Sequence, residues 1–193
     1  MRPDSPLRNF DPERVARFEK ENYVAYYQHD WLKLLRASVG LVKETFRLSL
    51  WQAIYGAYLI ARAEIAFAPY PKNDLVKTKQ YIRRFYAYIR KVHSEEYDLD
   101  RAAELELNWW IVHRNLFGNA DNQALVDALA DIYSVAYDVD RARVQDAAYH
   151  RAQGMLYSDY WVNQGKASNS PLLAQEQAEL EKSYMLLRAA IAT

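Results

Sequence analysis

The segment DPERVARFEKENYVAYYQHDWLKLLRASVGLVKET, residues 11–45, decides the fold class. Asp11-Pro12-Glu13 is a helix start in three residues. It supplies an N-cap acceptor, a proline whose missing N–H is harmless in the first turn, and an acid at the positive end of the helix dipole. Val24, Tyr27, Trp31, Leu34, Ser38 and Leu41 then recur at three- and four-residue steps, one stripe of an amphipathic helix. The spacing predicts one helix over about 12–45, roughly 50 Å long at ~1.5 Å per residue. A helix of that length outruns a domain of this size. Either it bends near Gly40 or its polar end projects to meet another subunit. A homo-oligomer, a dimer first, or another protein partner is therefore expected, with residues 1–10 as an extended N-terminal arm.

Outward from this segment the same start and stop grammar repeats. Ser49 caps a helix over about 50–67, stopped by Pro69 and Pro71. Asn73 or Asp74 opens one over about 75–93, with Leu75, Thr78, Ile82, Phe85, Ile89 and Val92 on one face. Asp98 and Asp100 precede about 101–117, which Gly118 ends. Asp121 opens about 122–137, Asp140 opens about 141–164, and Ser170-Pro171 opens about 171–191. No stretch alternates with period two for long enough to make a strand. Short loops favour antiparallel neighbours. The expectation is an all-α, single-domain antiparallel bundle of about seven helices spanning 1–193.

Composition narrows the chemistry. The 193 residues hold 25 Lys+Arg, 25 Asp+Glu and no cysteine, so disulfides, thiolate nucleophiles and Cys-ligated metals are excluded. The longest uncharged run, Leu48 to Ala61, is too short for a membrane span of about 20 residues, and no apolar leader is visible. A cytoplasmic protein is expected. Five isolated glycines give neither a dinucleotide fingerprint nor a phosphate loop. His-Glu-x-x-His and Glu-x-x-His are absent, and no motif implies a cofactor.

Neutrality hides a segregation of charge. Arg62 to Lys91 holds eight bases against two acids, and Glu95 to Asp140 eleven acids against two bases. Lys77, Lys79, Arg83, Arg84, Arg90 and Lys91 could form an anion-binding stripe on the third helix. Pairing with the acidic helices that follow is the plainer account, and no nucleic-acid motif backs the alternative.

Three groups of residues carry possible chemistry. Glu64 falls on the stripe of Ala53, Ala57, Ile60 and Phe67, where the core should be. A buried carboxylate needs a partner or must be neutral. A salt bridge near Arg62 or to Arg114 is the ordinary solution, and a ligand or a general base the functional one. Glu106, Trp110 and His113 form an i, i+4, i+7 stripe that could line a pocket, with Arg114 beside it. Structurally, Glu106 would instead meet a base of the third helix and His113 fill a polar gap. Asp146 and His150 lie one turn apart, with Tyr157 further along the same stripe.

Glu64, Glu106 and His113 are thus the catalytic candidates, and Glu64, Glu106, Trp110, His113, Arg114, Asp146, His150 and Tyr157 the pocket candidates. Glu64, His29, His113 and His150 are the metal candidates. Three functions fit: a non-catalytic bundle with an aromatic-rich interaction surface or a pocket for a small apolar ligand; an enzyme or metal protein with an interior His/carboxylate site; and an anion or RNA binder. The first accords best with the aromatic content and the absence of catalytic motifs.

Overall fold

Aspartate caps set the helix starts. The side chains of Asp11, Asp30, Asp74, Asp98 and Asp140 accept hydrogen bonds from backbone N–H groups of the first turns they precede, each such cap contributing about 0.5–2 kcal/mol. The computed structural model describes residues 2 and 4–192. Its helices are α1 Pro12–Gln28, α2 Trp31–Thr45, α3 Leu50–Phe67, α4 Leu75–His93, α5 Leu99–Asn115, α6 Gln123–Tyr137, α7 Arg141–Asn163 and α8 Leu172–Ile191. The chain is an all-α, single-domain bundle, and the described residues contain no strand.

The bundle has eight helices rather than seven because the first predicted helix is two. His29 turns into the left-handed region at φ 59°, and Asp30 restarts the chain by accepting from the Lys33 N–H. The chain then doubles back. Asn22 of α1 donates to the Ser38 hydroxyl of α2 at 2.6 Å, and Arg14 reaches the buried Glu44 at 3.3 Å. Gly40 is no kink: a Cβ there would stand 2.6 Å from the Phe18 ring, so its bareness lets the two helices close. The 50 Å rod, and the projecting end that argued for a dimer, are absent.

Each helix packs on its neighbours in sequence, and α8 returns to pack on α1. The result is a closed ring. An even number of antiparallel helices closes without a crossover, which short loops permit. Close approaches depend on small residues such as Gly154 of α7, where a Cβ would meet the Leu180 side chain of α8 at 2.9 Å. Within the segment read as an arm, Pro6–Arg8 form a 3-10 turn, Leu7 and Phe10 are buried, and Arg8 donates to the Tyr137 carbonyl at 3.2 Å. Met1 and Pro3 of that segment lie outside the described residues.

Candidate functional site

A ring of eight helices cannot bring every inner face into contact, and large side chains do not fill the middle. A cavity of about 560 Å³ remains, reached by all eight helices and walled mainly by tyrosine, tryptophan, phenylalanine and aliphatic side chains. Glu64, Glu106, Trp110, His113 and Arg114 all line it.

Glu106 is fully engaged. It accepts from the Tyr86 hydroxyl of α4 at 2.8 Å and from the Trp110 indole, one turn along its own helix, at 3.2 Å. The expected base of the preceding helix is replaced by a phenol. Burial, reinforced by the Glu106 charge, pushes the Tyr86 pKa far up, so it remains a donor.

Glu64 is the opposite case. Its side chain is exposed, and it lines the cavity beside Ile60 and Phe67 of the same stripe. The salt bridges expected for it do not form. Arg62 turns outward, donating to the Tyr58 hydroxyl at 3.0 Å and lying over the Tyr81 ring. Arg114 donates to the Phe67 carbonyl at 2.9 Å, with its guanidinium 3.5 Å from the centre of the Phe67 ring. Removal from water alone pushes the Glu64 carboxyl up to about 7. A carboxyl poised near neutrality can take or give a proton.

His113 meets Asp159 of α7, its Nε2 3.3 Å from Oδ2. Asp159 also accepts from the Tyr23 hydroxyl at 2.8 Å and the Gly118 N–H at 2.9 Å, so it ties α1, α5 and α7 together. A second knot crosses the cavity wall. Arg151 of α7 holds Glu19 of α1 at 2.9 Å, and the other Glu19 oxygen accepts from the Tyr184 hydroxyl of α8. The Arg151 guanidinium also lies over the Trp109 ring at 5.0 Å.

Sequence reasoning missed Glu19, Tyr23, Arg151, Asp159, Glu176 and Tyr184. Glu176 carried a readable signal: like Glu64 it interrupts an apolar stripe, here with Leu180 and Leu187. It is 1% exposed, its Oε2 has no hydrogen-bond partner, and burial pushes its carboxyl up to about 8.

The remaining candidates lie elsewhere. Asp146 is exposed and Tyr157 half-buried, and neither lines the cavity. His150 does not pair with Asp146 but with Glu179 of α8, Nδ1 to Oε2 2.6 Å, because its side chain points along the tight α7–α8 contact. His29 is the exposed C-cap of α1, stacked on Trp31. Glu64, His29, His113 and His150 therefore do not converge, and no group of three or more possible metal ligands occurs among the described residues. On α4, Arg83 and Lys79 pair with Asp100 and Glu104 of α5 at 2.6 and 3.7 Å. The basic stripe is thus partly spent within the chain, while Lys77, Arg84, Arg90 and Lys91 stay accessible. No family model, curated protein or solved structure matches the chain, so the cavity is read from its own residues.

Proposed function

We propose that the protein binds a small, largely apolar organic molecule inside the ring. The observation that carries this reading is Glu64, an unpartnered carboxyl in a cavity walled mainly by aromatic and aliphatic side chains. Its volume of about 560 Å³ suits a small ligand, since binding sites commonly span ~300–1,000 Å³. The walls are cross-linked by the Glu106 and Asp159 hydrogen bonds and the Glu19–Arg151 pair. That favours a preformed receptor over a space that collapses. A titration with the apolar fluorophore prodan tests it. Saturable one-to-one binding is expected, and Ala136→Trp, which fills the space from α6, should abolish it while the helical circular-dichroism signal persists. Binding that ignores Ala136→Trp would sink the reading.

A second reading concerns the outer face of α2 and α3, adjacent helices of the ring. Leu32 is 84% and Trp51 79% exposed there, and Trp31, Leu35, Ile54 and Ile65 are exposed beside them. Such a face suits a protein partner, a second copy of the chain included. Light scattering of the wild type against Trp51→Glu tests this, a monomer in both ending the dimer. No helix among the described residues is long and apolar enough to cross a membrane. A cytoplasmic location stays part of the proposal, and cell fractionation tests it.

A further inference from the structure

The cavity has four carboxylates in its wall, Glu19, Glu64, Glu106 and Glu176, against two guanidiniums, Arg114 and Arg151. Both guanidiniums are committed. Arg151 is held by Glu19, and Arg114 by the Phe67 carbonyl and ring. Glu106 is satisfied by two neutral donors, and the free oxygen of Glu176 is covered from the space. Glu64 alone presents an unpaired acidic group to whatever enters.

We infer that the ligand is an organic cation, an amine or quaternary ammonium on an apolar body, whose charged head is taken by the Glu64 carboxylate. This identification rests on the cavity being a ligand site, as proposed above. An anionic ligand would meet an excess of acids with both arginines already occupied. A neutral apolar ligand would leave Glu64 facing hydrocarbon, where it stays protonated and does nothing. A cation gives the carboxylate the counter-charge that the chain withholds, in a place where little water screens the pair. The rings around the same space favour a cation too. Tyr26, Tyr27 and Trp110 line it, and the faces of such rings attract positive charge. The structure already uses that attraction for its own cations, with Arg114 over Phe67 and Arg151 over Trp109.

Three probes of similar size separate the charge classes: benzyltrimethylammonium, its uncharged carbon isostere neopentylbenzene, and phenylacetate. Calorimetric titration of the wild type should place the cation at least tenfold tighter than the isostere, with phenylacetate weakest. Glu64→Gln should remove that preference and weaken the cation at least tenfold. Neopentylbenzene binding should be unchanged, which also reports that the variant is folded. Equal binding of cation and isostere, tightest binding of phenylacetate, or a preference that survives Glu64→Gln would overturn the inference and leave the cavity as a neutral-ligand or acid-ligand site. If none of the three binds and prodan does not either, the ligand-site reading itself falls.

Discussion

Glu64 and Glu106 face one cavity from α3 and α5, and they are held in opposite ways. Glu106 accepts two hydrogen bonds from Tyr86 and Trp110, which fix it and are fixed by it. Glu64 accepts none, although two arginines lie on neighbouring turns or helices. The contrast separates structure from availability. A buried carboxylate with its acceptor sites filled is part of the scaffold, and removing it orphans its donors. One with none is a standing electrostatic cost that only an added partner or a retained proton relieves.

The scaffold half of this comparison predicts the largest losses. Arg151→Ala should destabilise the protein by about 3–5 kcal/mol, because Glu19 is left charged beside Tyr184 with no cation. Urea unfolding measures it, and a change below about 1 kcal/mol would show that water substitutes freely for the guanidinium.

Glu176 shows next what an unrelieved acid does to stability. Unfolded, it loses its proton around the ordinary carboxyl value of 4.5; folded, it keeps it to about 8. Between those values the native state binds the extra proton, so its stability falls as pH rises, and the loss is complete above pH 8. Glu176→Gln should therefore be more stable to urea than the wild type at pH 9, by about 4–5 kcal/mol, with the advantage shrinking towards pH 5. A pH-independent difference would mean that the carboxyl reaches solvent.

Glu106→Ala comes third. Two buried donors lose their acceptor, at about 2 kcal/mol together, whereas Glu64→Ala orphans no donor and removes an uncompensated acid, so at pH 7 and above it should not destabilise. If the two substitutions prove equal, the distinction drawn between these carboxylates is lost.

Much of this was legible in the chain. The helices from α3 onward start and stop within about two residues of their caps and breakers, and Glu64 and the Glu106/Trp110/His113 stripe stood out because acids interrupted or flanked apolar periodicity. The break at His29 was not legible, since Val24, Tyr27, Trp31 and Leu34 continue a helical step across it. Asp30 caps α2 in the structure, but the stripe runs through it without interruption. In the structure Trp31 is exposed, so the continuity of the stripe did not reflect one buried face. The Glu19–Arg151–Tyr184 and Tyr23–Asp159–His113 contacts join helices far apart in the chain. Such partners follow from ring closure, and no local spacing encodes it.

The titration of Glu64 is the most telling. Glu64 titrates near 7 when folded and around 4.5 when unfolded, so wild type should lose stability relative to Glu64→Gln as pH rises through that window and then run level above it. Glu19, Glu106, His113 and Glu176 also face the cavity or its wall, but the variant keeps them all, so the difference between the two proteins isolates Glu64. Saturating benzyltrimethylammonium should flatten this slope, because an ammonium beside the carboxylate lowers its folded pKa back towards the unfolded one. Neopentylbenzene should leave the slope or steepen it by excluding water. Two thermal-melt series across pH 4–9 decide between them, and a slope that responds alike to both probes would place the cationic head away from Glu64.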